Sequence, residues 1–170
     1  MEQNFLSIRK YLGASAVLAV MALLAGCGGG GTQGTSGGSA ASQVRSSSLS
    51  TKAYLKKANA LCKRTKTRSQ IGYVHYAQTH KVPSSGSGLT AKAADFVDTV
   101  FTPIYQGQIN KLRALGAPKG DEAAVASIIA AMERGLAQSR ANPLQFIRSA
   151  PFFGEASRLS VAYGMTECSA

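Results

Sequence analysis

The sequence has few acidic residues and few His and Cys residues. Eight Asp and Glu residues oppose 19 Lys and Arg residues, which gives a formal net charge of +11. Two His and three Cys residues occur without the CxxC or His-rich spacing of a metal site. No Ser/His/Asp or Cys/His set is identifiable, so we expect no catalytic residues, no metal and no cofactor.

Apolar runs long enough to cross a membrane are also missing. One run extends from Tyr11 to Leu24, about 14 residues, and it follows the basic pair Arg9 and Lys10. A spanning helix needs roughly 20 apolar residues, whereas the core of a signal peptide is shorter. The run therefore predicts a signal peptide over residues 1–26.

The apolar run ends in the motif Leu24-Ala25-Gly26-Cys27, which resembles the lipobox of bacterial lipoproteins. The resemblance implies cleavage before Cys27, and acylation of its thiol and new N-terminus with diacylglycerol and fatty acid such as palmitate. Two or more acyl chains hold a protein on a bilayer, so we expect an anchor on the extracytoplasmic face of the cell membrane. An ordinary signal peptide cut nearby, with Cys27 unmodified, is the alternative.

Residues 27–50 join this Cys to the rest of the chain. From Gly28 to Ser50 the sequence is almost entirely Gly, Ser, Thr, Ala and Gln. Such a composition buries too little apolar surface to offset chain entropy, which predicts a flexible linker. The folded domain is therefore expected at residues 51–170.

The remaining two Cys residues indicate a disulfide. Cys62 and Cys168 are an even remainder in a chain with an export signal, which favours a bond between them. A bond across these 106 residues would stabilise the domain by about 4 to 5 kcal/mol. Two free buried thiols are the alternative.

From Thr51 onward the apolar residues repeat with a period near 3.6, which predicts an all-α domain, an antiparallel bundle of about four helices. Pro103 either kinks the second helix or begins a new one that Thr102 caps. No alternating run or hairpin signal predicts a strand. The expected helices run from Thr51 to between Gly72 and Pro83, from near Thr90 to Leu115, from Asp121 to near Asn142, and from near Pro151 to Tyr163, with a short helical piece at Leu144–Ile147.

Two motifs of this domain can be compared with known families. They are the segment LRALGAPKGDE, residues 112–122, and a C-terminal YGxxxC that ends at Cys168. Together with the lipobox, these motifs resemble small exported lipoproteins of actinobacteria, a group of uncharacterised function. The resemblance covers most of residues 51–170 and implies an extracytoplasmic helical domain closed by Cys62 and Cys168. It brings no catalytic residue and no substrate.

Positive charge is concentrated in the first part of the domain. Residues 51–94 contain nine basic and no acidic residues, whereas residues 95–170 contain seven of each. A helical wheel places seven of the nine in two rows opposite the apolar side of the first helix, and we name them the basic face. The basic face consists of Lys52, Lys56, Lys57, Lys63, Arg64, Lys66 and Arg68.

The basic face is a candidate anion-binding surface. We expect a non-enzymatic binding or structural module of the cell envelope, whose partners are the membrane through its lipid and anionic polymer or phospholipid headgroups through the basic face. A helix face that is only solvated is the alternative. No nucleic-acid motif accompanies the charge, so nucleic acid is not an expected partner. The sequence does not identify a protein partner.

Aromatic residues suggest a second candidate function, a solute-binding or sensor module with a pocket between helices. The candidate lining residues are Tyr54, Phe96, Phe101, Tyr105 and Phe153.

Overall fold

The structure, a computed structural model, describes residues 44–148 and 151–169. This part of the chain is mostly helical and contains the Cys62–Cys168 disulfide, so the predicted all-α fold and disulfide are confirmed. The predictions for the signal peptide, for Cys27 and for most of the linker lie outside the described residues. The helices are α1 (Thr51–Thr79), α2 (Gly86–Phe96), α3 (Thr102–Leu115), α4 (Glu122–Ala141), α5 (Pro143–Ile147) and α6 (Gly154–Tyr163), with a π-helical turn at Val97–Phe101 and a 3-10 turn at Thr166–Cys168.

Helix α1 begins at a side-chain cap and runs for 29 residues. The hydroxyl of Ser50 accepts a hydrogen bond of 3.3 Å from the amide of Ala53. The apolar pattern weakens near Gly72, yet the helix continues to Thr79. A Cβ atom at Gly72 would lie 2.7 Å from Cγ1 of Val100. The glycine therefore allows α1 to lie close against the next helical segment.

The helix around Pro103 neither ends nor restarts. Helices α2 and α3 are joined by the π-helical turn, in which the amide of Thr102 donates to the carbonyl of Val97, five residues earlier. Pro103 has no N–H to donate to the carbonyl of Thr99, and the wider turn just before it accommodates the missing bond. Thr102 has helical dihedral angles, so it is not the cap of a new helix. The segment also begins at Gly86, earlier than expected.

The core lies between α1, α3, α4 and α6, and the disulfide closes one end of it. Gly164 ends α6 with a φ of 97°, and the chain then turns back toward α1. There the side-chain amide nitrogen Nδ2 of Asn59 donates to the carbonyl of Gly164 at 3.1 Å. The backbone amide of Glu167 donates to Oδ1 of Asn59 at 2.9 Å. Asn59 and the disulfide thus hold the C-terminal turn on α1.

The end of the predicted linker belongs to the domain, so the boundary at residue 51 was placed too late. Strand β1 (Ser46–Ser47) pairs in parallel with strand β2 (Ala117–Pro118). Val44 is buried beside them. Gly116, at a φ of 65°, lets this pairing form, because a Cβ atom there would lie 2.8 Å from the carbonyl oxygen of Arg45.

The expectation of no strand is therefore wrong for these two short elements. Two-residue strands from distant parts of the chain carry no alternating pattern, because each is too short to have one.

Candidate functional site

The basic face is exposed along its whole length. All seven of its side chains are in contact with solvent. Within residues 44–148 and 151–169, none of the seven forms an ion pair with a carboxylate. The charges of the basic face are thus held close together on one helix without a described partner of opposite sign.

The acidic residues are engaged elsewhere in the domain. Glu133 pairs with Arg113, Glu155 pairs with Arg134 at 2.8 Å, and Asp98 lies 3.8 Å from Arg140. The carboxylate of Asp121 accepts hydrogen bonds from the hydroxyls of Thr51 and Tyr163. The carboxylate of Glu122 accepts bonds from the hydroxyl of Ser46 and the amide of Gly120. These interactions engage five of the seven carboxylates of residues 95–169 and leave the basic face without an ion-pair partner among the described residues.

Lys66 departs from the predicted arrangement of the basic face. The helical wheel places it opposite the apolar side, whereas in the structure it borders a cavity of about 270 Å³ that both disulfide cysteines also line. Lys66 follows Cys62 by four residues, so the two share one side of α1. We name this space the disulfide cavity. Its other charged lining residue is Glu167.

A larger cavity of about 570 Å³ lies beside the second half of α1. Its size falls within the range of roughly 300 to 1,000 Å³ that is typical of small-molecule sites. We name it the aromatic cavity, because six of its lining residues are aromatic. They are Tyr73, Phe96, Phe101, Tyr105, Phe146 and Phe153.

The aromatic side chains of this cavity pack in two groups. The ring of Phe101 lies 4.2 Å from Tyr105, 4.3 Å from Phe146 and 5.8 Å from Phe153, centre to centre. The rings of Tyr73 and Phe96 meet edge to face at 5.6 Å. Such contacts stabilise aromatic pairs beyond the area they bury, so the two walls of the cavity are held in place from within the fold.

The two cavities adjoin. Ser69, Gln70, Tyr105 and Phe153 line both of them. Burial raises the pKa of the Tyr105 hydroxyl, and its hydrogen bond with Ser69 opposes that shift. Tyr105 is therefore a neutral hydroxyl at physiological pH, at the junction of the two spaces.

Four of the five expected lining residues, Phe96, Phe101, Tyr105 and Phe153, line the aromatic cavity. Tyr54 does not, because it lies in the first turn of α1 and is fully buried against the ring of Tyr163. This burial raises the pKa of Tyr54 to about 12.

Two aromatic lining residues of this cavity, Tyr73 and Phe146, were not among those predicted from the sequence. The signal for Tyr73 is its spacing of four residues from Ser69 on α1, which puts both on one side of the helix. Helix α5 has only five residues, which is too short for its apolar pattern to show whether Phe146 faces the core.

Neither His residue belongs to a metal site in the part of the chain that the structure describes, where no group of three or more His, Cys, Asp or Glu could hold an ion. His80 stacks on the ring of Tyr76 at 4.1 Å, and His75 is exposed. Across residues 44–148 and 151–169, no helix has both the length and the apolar character needed to span a bilayer.

Comparison of the chain with protein-family models, with curated proteins and with solved structures gave no match.

Proposed function

We propose that the protein is a lipid-anchored extracytoplasmic module, of the exported lipoprotein kind, that binds anionic material of the cell envelope without enzymatic activity. The basic face of α1 makes the contact, and Cys27 carries the lipid. The observation that supports this proposal is the exposure of seven basic side chains that form no ion pair with the described acidic residues.

The spacing of the charges favours a functional role over simple solvation. Lys52 and Lys56, like Arg64 and Arg68, are four residues apart on the helix, where like charges repel and lower stability. A surface that serves only solubility intersperses both signs, whereas residues 51–94 contain no acid. The repulsion is relieved when a polyanion covers the face.

The chemistry of the basic face suits a diffuse negative surface. Lysine outnumbers arginine on it, and an ammonium group acts as a point charge without the two-pronged geometry of a guanidinium. In clusters of four to eight basic residues close to a membrane, each Lys or Arg contributes roughly 1 kcal/mol of binding free energy to anionic lipids. A lipid on Cys27 would keep the domain within reach of such a surface.

The test is binding of the chain from residue 27, with Cys27→Ser so that it is unlipidated, to vesicles with and without phosphatidylglycerol and to soluble teichoic acid. Replacement of Lys52, Lys56 and Lys63 by Gln should weaken binding to the anionic probes on the order of 100-fold, since three contacts of roughly 1 kcal/mol are lost. Binding should also fall steeply with salt. The two probes distinguish a headgroup from a wall polymer as the source of the anion.

The matched control removes the same charge from the second part of the domain, with Lys111, Lys119 and Arg158 each changed to Gln. All three side chains are exposed. This variant should bind like the parent protein. Equal weakening in both variants, or no binding to either probe at physiological salt, would contradict the proposed contact.

The lipid anchor is tested in the producing cell. Cys27→Ala should move the protein from the membrane fraction to the medium or the soluble fraction, because the acyl chains have no other attachment point. A variant that stays in the membrane fraction would show that Cys27 does not anchor the chain.

A further inference from the structure

We infer that the aromatic cavity and the disulfide cavity together form one binding site for a single-chain anionic amphiphile, with its apolar chain among the aromatic rings and its charged head at Lys66. The inference rests on the proposed function for the attraction of anions to α1. It adds a second mode of binding, in which one molecule enters the domain.

The lining of the two adjoining spaces favours a chain over a compact solute. The cavities, of about 570 Å³ and 270 Å³, share four lining residues and therefore lie side by side. Six of the twelve lining residues of the larger one are aromatic. Tyr73 and Ile147, two of its lining residues, are large side chains that stay 57% and 37% exposed. Apolar surface left in water beside a cavity is typical of a ligand-binding site.

Most of the polar lining residues lie at the end where a headgroup would be placed. Ser69, Gln70 and the neutral hydroxyl of Tyr105 lie at the junction of the two cavities. The smaller cavity is also lined by Lys66, Gln108, Glu167 and Ser169. Among the described residues that line the aromatic cavity away from this junction, polar side chains occur at Tyr73 and Ser157. This part of the site therefore suits a hydrocarbon chain, which needs no hydrogen bonds.

The sign of the head follows from the charges around the disulfide cavity. Lys66 forms no described ion pair, and Lys63, three residues earlier, lies on the same side of α1. Glu167 is the opposing charge, an exposed residue whose backbone amide is held by Asn59. Because the basic residues outnumber Glu167, an anionic head is favoured over a zwitterionic or cationic one.

The probes are three amphiphiles with the same saturated chain: laurate, dodecyl maltoside and dodecyltrimethylammonium. Each is titrated below its micelle concentration into the unlipidated chain from residue 27, and binding is followed by calorimetry. Laurate should bind saturably at one molecule per chain, dodecyl maltoside several-fold more weakly and the cation most weakly. Burial of the chain should also give a negative heat-capacity change.

Two substitutions fill the aromatic cavity without altering charge, Ser157→Phe from α6 and Ser69→Leu from α1. Either should weaken laurate binding at least tenfold, and the second variant serves if the first does not fold. The control Ala124→Phe places the same ring on the exposed surface of α4, outside both cavities, and should bind laurate like the parent.

Two further substitutions test the head. Lys66→Gln should weaken laurate binding about tenfold and leave dodecyl maltoside unchanged, whereas Glu167→Gln should strengthen laurate binding. Equal effects on both amphiphiles would overturn the placement of the head at Lys66.

The outcomes separate this inference from the proposed function. Absence of saturable laurate binding, or laurate binding that neither filling substitution weakens, would overturn the cavity site even if the basic face still bound vesicles. Laurate binding that is lost on filling, in a protein that binds neither vesicles nor teichoic acid, would uphold the cavity site and contradict the proposed contact.

Discussion

The two parts of the domain on either side of Ala94 differ in how their charges are arranged. In residues 95–169, acidic and basic side chains balance, and the described ion pairs all join arginines and carboxylates of this part. Residues 51–94 carry nine basic residues and no acidic one. Charge in the second part therefore serves the fold, whereas charge in the first part is left for solvent or for a partner.

The two parts are nevertheless tied to each other by several contacts, among them one covalent bond and one short hydrogen bond. The disulfide joins Cys62 on α1 to Cys168 after α6, and the hydroxyl of Tyr76 lies 2.6 Å from the carboxylate of Asp95. Predictions about these ties, and about the charges themselves, show how far the first part depends on the second.

The largest expected effect comes from removing the disulfide. The double substitution Cys62→Ala and Cys168→Ala should lower the free energy of unfolding by about 4 to 5 kcal/mol, because the bond closes a loop of 106 residues. Urea denaturation of the variant and of the parent protein measures the loss. The control is the parent protein denatured in the presence of reductant, which breaks the same disulfide without a substitution. A change near zero would mean that packing alone holds the C-terminal turn on α1.

The second tie depends on pH. Burial, together with the hydrogen bond to Asp95 and the charge of that carboxylate, raises the pKa of Tyr76 to about 12. In the unfolded chain the Tyr76 hydroxyl has its ordinary pKa of 10.0. Between pH 10 and pH 12 the unfolded chain therefore releases a proton that the folded protein retains, so the stability supplied by this hydroxyl decreases as pH rises. Below that window the contribution is fully present.

Tyr76→Phe should therefore cost about 2 kcal/mol at pH 8, because a hydrogen bond to a charged group contributes roughly 1.5 to 3 kcal/mol. Its difference from the parent should shrink between pH 10 and pH 12, since Phe cannot ionise. Denaturation at both ends of this range gives the comparison. A difference that does not change with pH would show that the Tyr76 hydroxyl does not titrate in this window.

The smallest effects contrast the two kinds of charge directly. Lys56→Gln relieves repulsion with Lys52 and should raise the free energy of unfolding by about 0.2 to 0.5 kcal/mol at low salt. Arg134→Gln breaks the pair with Glu155 and should lower it by a similar amount. Thermal melts at low and high salt measure both. If Lys56→Gln is destabilising, the basic face contributes to the fold.

Much of the fold could be predicted from local signals. Gly116 and Gly164 end helices because each adopts a positive φ, which glycine does without a steric cost. A glycine after an apolar helical pattern therefore predicts the end of the helix from the sequence alone. The pairing of Cys62 with Cys168 follows from the number of cysteines left after Cys27. The end of α1 could not be predicted, because Gly72 weakens the pattern for a reason that lies in Val100, on another helix.

The candidate site was predictable only in part for the same reason. Helical period identifies which residues face inward, and four of the five expected aromatic residues do line one cavity. It does not show where along the bundle the packing is incomplete, so Tyr54 was included although Tyr163 covers it. The spacing of four residues does place Lys66 on the Cys62 side of α1, so its assignment to the side opposite the apolar residues was wrong; the cavity beside it depends on the packing around the disulfide, which no single-helix wheel contains.

The pairing of β1 with β2 sets how the domain responds to tension. A pull through the chain N-terminal to Val44 loads the short ladder at Ser46–Ser47 before it reaches α1. Once the ladder and the first turns of α1 separate, the extension stops at Cys62, because the bond to Cys168 holds the rest as a closed loop. The stretch that can be drawn out, residues 44–61, is roughly 60 Å long at about 3.5 Å per residue. The domain therefore has a built-in mechanical stop at Cys62, which lies between Lys57 and Lys63 of the basic face and keeps the residues that line the aromatic cavity within the closed loop.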